Sequence, residues 1–450
     1  DKRSGRVRME VVWMADDLAK KAAEGSIRAE FSLSRRVIPP GEPGTIWAML
    51  KLAAARPRGA EGKGRLPLNL GLVLDRSGSM EGDPLAYAKM AACRIVEQMG
   101  PEDRFALVIF DHEVKVVCPA QVVTEKDALK AAIAGIQARG STNLSGGLLR
   151  GYQEVKSGAK SGQVNRVLLL TDGCANQGIT NRALLAAKVR SMRENGITVS
   201  AIGVGLHFDE DLLLALAEAG GGNYYYLRDP EEIPGVLARE LQGLLSVVAQ
   251  AVRVVATGGE GCRVTAVLGY EPVFSAGKAL IDLPDLYEDE TKTLIFEIAH
   301  PALPVGEHEL VRVNLAYVDA LNILNTVEIS IAARLKAAEG PPEEYQPDFE
   351  ITKAVELTRT ALAKDEAITA MDQGDLKAGR RRLEERLISL EKLSAAAPAP
   401  DAEIAEEIRV LRDLVRRIED LEEGGQEGMA CREPELRKDM RFQSYRQRRK

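Results

Sequence analysis

Five oxygen-bearing side chains stand where apolar runs of this chain stop: Asp75, Ser77 and Ser79 in NLGLVLDRSGSMEG, Thr142 in GSTNLSGG, and Asp172 in LLLTDG. Two-residue steps along an extended loop send Ser77 and Ser79 to one side, so three oxygens can converge on one point after Asp75. Gly78 between them allows a tight turn. Two carboxylates and three hydroxyls, with no imidazole or thiolate, make a hard and weakly charged donor set. Such a set suits Mg²⁺, which retains waters, better than Zn²⁺; Mn²⁺ and Ca²⁺ are the other hard ions it would accept.

Other chemistries fit these residues less well. An Asx-type turn would explain Asp75, Ser77 and Ser79 but leaves Thr142 and Asp172 without a role. A phosphoaspartyl hydrolase wants a second aspartate where Ser77 stands. No G-x-S-x-G elbow surrounds either serine, and no P-loop follows the first strand. The four histidines are His112, His207, His300 and His308. His112 and His207 fall in loops after strands, near the rim of a crevice, where an ordinary exposed histidine is the plain alternative to a catalytic base. Cys174 beside the TDG turn reads as a small packing residue or a redox sensor. Asp111 and Asp209 either charge the rim or cap a loop.

The elements that must position these groups are legible between residues 66 and 245, the span of an α/β domain. Short apolar runs alternate with amphipathic stretches: Leu68 to Asp75, Arg104 to Phe110 with a hairpin partner at Val114 to Val117, Arg166 to Gly173, Ile197 to Gly205, and Asn223 to Leu227. Uniformly apolar strands imply burial on both faces, hence a doubly wound, mostly parallel sheet. Asp83-Pro84 starts the first helix and Lys126 to Gln137 forms another. Ligands in such sheets bind outside the carboxyl ends of the strands, so both serines are expected to face solvent in that crevice.

On either side the texture is period-two and β-branched. Ile27 to Ser34 and Thr45 to Ala54, within an N-terminal β segment (residues 1–65), are expected to pair with strands of residues 246–336 in an antiparallel sandwich that the α/β domain interrupts. A proline- and acid-rich linker (337–348) leads to a helical domain (349–424) broken near Met371 to Gly379. In its last helix Ile404, Ile408, Leu411, Val415 and Ile418 form one apolar stripe, read as the core of a small bundle or as a partner surface. A strongly basic tail (425–450) reads as solvated and mobile, or as docking on an acidic surface.

The whole chain sets outer limits. Its 450 residues are 45% hydrophobic and 28% charged, with net charge −7 and 4% aromatics, which disfavours bulk disorder and a nucleic-acid-binding surface. Cys93, Cys118, Cys174, Cys262 and Cys431 are scattered, with no C-x-x-C spacing, and read as reduced thiols of a cytoplasmic protein. No apolar run reaches the ~18 residues of a membrane span. The sequence begins at Asp1 without methionine, so the true start is open.

DRSGS resembles the D-x-S-x-S signature of von Willebrand factor type A domains, and Thr142 and Asp172 match the threonine and the TDG aspartate of that family's metal ion-dependent adhesion site. All five positions are present. The flanking β segments are similar to those of bacterial proteins that resemble calcium-activated chloride channel homologues and inter-alpha-trypsin inhibitor heavy chains; without a membrane span the channel label does not carry over. The resemblance implies that Ser77, Ser79 and Thr142 touch a metal through their hydroxyls, that Asp75 and Asp172 act directly or through water, and that a partner's acidic side chain takes the sixth position. It implies a non-enzymatic interaction module or scaffold, with AAA+ ATPases, kinases or phosphatases of bacterial assemblies as partners. Two alternatives remain: a metal-assisted hydrolase, which lacks a convincing general base because an ion-bound carboxylate is poorly basic, and a scaffold whose metal is structural while the helices and basic tail bind.

Overall fold

Strand Leu68–Asp75 is buried at every position, and one sheet is built outward from it. The computed structural model describes residues 6–13, 21–56, 65–160, 162–321, 325–423 and 426–449. The chain divides into two units, one of residues 58–250 with 284–288 and one of 1–57, 251–283 and 289–450.

The first unit holds a six-stranded sheet in the order Gly221–Leu227, Thr198–Val204, Val164–Thr171, Leu68–Asp75, Arg104–Phe110, Val114–Val122. Every neighbouring pair is parallel except the last. The antiparallel edge strand is longer than the expected Val114 to Val117. Among the described residues six helices cover the sheet: α1 (Asp83–Gln98), α2 (Lys126–Ala134), α3 (Leu144–Gly158), α4 (Arg182–Glu194), α5 (Glu210–Gly220) and α6 (Ile233–Leu245). Gly82 rather than Asp83 caps α1, and α2 ends at Ala134, three residues short of the expected Gln137, with Gly135 as its C-cap.

From Leu68–Asp75 the chain passes through α1 to its neighbour on one side, and later crosses through α2 and α3 to Val164–Thr171 on the other. The direction of winding therefore reverses at the carboxyl end of this strand, where flanking loops diverge and open a crevice. Helix α3 lies unusually close to the sheet. A methyl group on Gly151 would stand 2.2 Å from Val73 Cγ2, and one on Gly147 would stand 2.6 Å from Phe110 Cδ1. These glycines, one turn apart, let α3 settle onto the strands and bring Thr142, two residues before it, to the strand ends.

The second unit contains two further sheets. In the smaller, Gly44–Ala54 lies between Ile27–Leu33 and Thr291–His300, with Arg263–Val267 and Lys21–Glu24 outside them. Its pairing is antiparallel throughout, and Gly44–Ala54 meets Thr291–His300 in unbroken register from Thr45↔Ala299 to Ala53↔Thr291. The N-terminal segment thus pairs with strands from beyond the α/β unit, as its alternating pattern implies. In the larger sheet Gly306–Asp319 joins Thr326–Ala337 to Val247–Gly258, and Arg6–Trp13 adds a parallel strand to Thr326–Ala337. Alternate residues such as Ile46, Leu50 and Leu52, or Ile329 and Ile331, form the interior.

Among the described residues four helices complete this unit: α7 (Phe349–Asp372), α8 (Leu376–Ala396), α9 (Ala402–Glu423) and α10 (Gln426–Arg448). Asp348 and Asp375 cap α7 and α8 through Ile351 N and Ala378 N, which places the break of the 371–379 stretch at residues 373–375. The α9 stripe faces the other helices, although Leu414 and Leu421 are buried in it and Val415 only partly. It is bundle core. Over its described residues the basic segment is no mobile tail: α10 buries Leu436, Met440 and Tyr445 and lays its arginines against acids of α7. Arg437 Nη2 is 2.7 Å from Asp372 Oδ1, and Arg441 Nη1 donates to Asp365 Oδ1 at 2.8 Å.

Candidate metal centre

Three loops at the strand ends carry the five oxygen-bearing residues, and the structure brings them together. Ser77 Oγ and Ser79 Oγ are 3.2 Å apart, and Ser79 Oγ donates to Asp172 Oδ1 at 2.7 Å. Gly173 marks the centre. A side-chain atom there would lie 3.2 Å from Thr142 Oγ1, 3.8 Å from Ser79 Oγ and 4.0 Å from Ser77 Oγ. Any larger residue would fill the space that the hydroxyls surround. Only Ser79 of the five is exposed; Asp75, Ser77, Thr142 and Asp172 are buried, so the expectation that both serines face solvent holds for one of them.

Neighbouring backbone and side chains fix this geometry. Asp75 accepts from Ser77 N at 2.7 Å through Oδ1 and from the Thr171 hydroxyl through Oδ2. Gly78 N donates to Gly140 O at 3.0 Å, tying the serine loop to the threonine loop. Thr142 N donates to Asn176 Oδ1 at 3.0 Å and Thr142 O accepts from Asn176 N at 3.2 Å, which ties the threonine loop to the segment after Asp172. Thr171, Asn176, Arg76 and Arg139 are absent from the sequence-derived site because their roles are contacts between distant segments. The threonine before the TDG aspartate was the one visible hint.

Burial pushes the Asp75 carboxyl up to about 6, against the hydrogen bonds from Thr171 and Ser77. Burial also raises Asp172, with the Ser79 hydrogen bond opposing it. Two partly desolvated carboxylates beside three hydroxyls match a hard divalent cation, whose charge would offset the cost of ionising both. The donor set therefore fits a hard divalent cation.

Asp111, His112 and Glu113 present a second cluster of potential ligand atoms close by. Arginines already occupy it. Arg76 Nη2 and Arg139 Nε lie 2.7 and 2.9 Å from Asp111 Oδ2, and Arg139 also reaches Glu113. Burial works against the Asp111 charge, but the Glu113 N–H and the two arginines hold its carboxyl below the usual range. This is an ion-pair brace for the serine and threonine loops, since Arg76 N donates to Phe110 O and Arg139 N to Arg76 O. His112 lies in the brace, 3.1 Å from Asp111, and His207 lies at the rim, its carbonyl accepting from Cys174 Sγ at 3.0 Å. Asp209 caps α5 through Leu212 N, the plainer of its two readings. Cys93, Cys118, Cys174 and Cys262 are free thiols, and the Cys431 side chain lies outside the described residues. Among the described residues no helix is long and apolar enough to cross a membrane.

Comparison with known proteins places the fold. A family model described as von Willebrand factor type A domain matches residues 69–239. The Synechocystis protein sll0103 is 29% identical over 364 residues, covering 78% of this chain and 83% of that protein. Escherichia coli YfbK is 34% identical over 189 residues, 41% of this chain and 32% of its own length. Human inter-alpha-trypsin inhibitor heavy chain H4 is 31% identical over 170 residues, 36% of this chain and 18% of its own length. The chain thus spans under a third of the last two. Among solved structures, a von Willebrand factor type A protein from Catenulispora acidiphila superposes with TM-score 0.69 at 17% identity, over 89% of this chain and 91% of that one.

Proposed function

We propose, from the premise that residues 69–239 are a von Willebrand factor type A domain, that this chain is a Mg²⁺-dependent protein-interaction module or scaffold and not an enzyme. In this reading Ser77, Ser79 and Thr142 hold the cation through their hydroxyls, while Asp75 and Asp172 hold it directly or through water. The bound ion supplies a Lewis-acidic position that a carboxylate of a partner protein completes. Few direct negative charges would leave that position electrophilic. The chain's own part is orientation: Thr171 and the Ser77 N–H aim Asp75, Asn176 holds the threonine loop, and the Arg76–Asp111–Arg139 brace fixes the loops beside it.

The observation that carries the reading is the convergence of Ser77, Ser79 and Thr142 hydroxyls around Gly173, with Asp172 bonded to one of them. Those groups bind and position; none is a strong general base. Cytoplasmic location and a partner drawn from AAA+ ATPases, kinases or phosphatases belong to the same proposal. The immobilised 450-residue chain tests it against an extract of the source organism. Proteins retained in Mg²⁺ are expected to be released by EDTA and missed by the Ser77→Ala/Ser79→Ala variant. Identical capture under all three conditions would remove the metal from the account.

A further inference from the structure

Between the outward face of the five-stranded sheet and helices α7, α9 and α10 lies a cavity of about 210 Å³. It has room for several waters or one small organic molecule. Alternation along Gly44–Ala54 turns Met49 and Lys51 to the cavity while Leu50 and Leu52 enter the sandwich interior. Ile295 and Leu268 extend the apolar wall on the sheet side, and Ala354 and Leu357 face them from α7.

The charges around this space are nearly all matched. Lys353 Nζ stands 2.9 Å from Asp401 Oδ2, 3.4 Å from Glu350 Oε2 and 3.6 Å from Glu403 Oε2, so both lining carboxylates already have a cation. Arg448 Nη2 is 3.4 Å from Asp365 Oδ2. Lys51 is the exception. Among the described residues it has no carboxylate within ion-pairing distance, although Glu30 is its cross-strand neighbour, and Thr293 flanks it on the other side. A groove with one apolar wall of Met49, Leu268, Ile295, Ala354 and Leu357, a polar rim that includes Thr358 and Gln447, and one unmatched ammonium is complementary to a molecule with an apolar body and one negative head.

We infer that this cavity binds a small monocarboxylate, its head on Lys51 and its short apolar body against Met49, Ile295 and Leu357. The site uses none of the residues assigned to the cation, and its occupancy is independent of Mg²⁺.

Hexanoate is the probe, titrated into the full chain by calorimetry and saturation-transfer NMR with and without EDTA. Wild type should bind one equivalent equally well in both buffers, and at least tenfold more tightly than it binds uncharged 1-hexanol. Lys51→Met keeps the apolar stem and should weaken hexanoate at least tenfold. Ala354→Phe fills the chamber and should abolish binding while circular dichroism stays unchanged. Absence of saturable hexanoate binding up to about 20 mM, or equal affinity in Lys51→Met, overturns the inference. The lysine variant alters a surface head group, so it decides the matter even where the phenylalanine variant fails to fold.

Discussion

Ser77 and Ser79 stand two residues apart and are of one chemical type, yet they belong to different environments. Ser77 is 2% exposed and packed beside Asp75, whereas Ser79 is exposed. Ser77→Ala is expected to cost about 1 kcal/mol of metal-free stability through its lost buried hydrogen bonding, and Ser79→Ala under about 0.5 kcal/mol. Urea denaturation in EDTA separates the two, and equal costs would mean that burial does not distinguish them. Thr171 makes a sharper case because its hydroxyl holds Asp75 Oδ2 without belonging to the proposed ligand set. Thr171→Val should weaken Mg²⁺ affinity by about 10- to 100-fold, the range for residues that orient metal ligands. Unchanged affinity by calorimetry would show that Asp75 needs no such support. Four of the five oxygens were readable in sequence because Asp75, Ser77, Ser79 and Asp172 end or follow apolar runs that read as buried strands, while Thr142, in the loop between two helices, stood out by the family motif it matches. Thr171, Asn176 and Arg139 were not, since nothing in local spacing announces a hydrogen bond to a segment tens of residues away.

Helix α10 teaches the same lesson at the next scale. Read alone, LRKDMRFQSYRQRRK is a run of positive charge, and such runs at chain ends are usually solvated. Its partners lie far back in α7, where Asp365 and Asp372 are separated by two helical turns and so line one face. Asp365 accepts from Arg441 Nη1 at 2.8 Å and Ser444 Oγ at 2.7 Å. Asp365→Ala should therefore destabilise the bundle by about 1–2 kcal/mol, with a smaller effect in high salt; an unaltered thermal midpoint would return α10 to the status of a loose tail. The strands tell the opposite story. Period-two runs at Ile27 to Ala54 and at residues 247–335 were enough to foresee their pairing, because each exposes one apolar face that only another sheet can cover. Deleting residues 1–60 removes the strands beside Thr291–His300 and leaves that edge open. The truncated chain is expected to aggregate; a monodisperse, well-dispersed NMR spectrum would contradict that.

Across the whole molecule, the proposed cation site occupies one unit, and the sheets and bundle that surround the monocarboxylate cavity belong to the other. The shift from alternating strands to strand–helix alternation near residue 66, and back again near 246, was visible in the sequence as a change of hydrophobic period. The bundle's closure through α10 was not, since it depends on matching charges over more than 70 residues. Under the proposed function, a net charge of −7 would leave the molecule to recruit acidic partners by a local cation rather than by its overall field. That claim stands or falls on whether five oxygens make one cation site. Calorimetric titration of Mg²⁺ into the metal-free chain and into Ser77→Ala/Ser79→Ala, with both shown folded by circular dichroism, tests it most directly. The account predicts one bound ion for the parent chain and no detectable binding for the variant. Wild-type affinity in the variant would contradict it, and the cluster after Leu68–Asp75 would then be a structural turn.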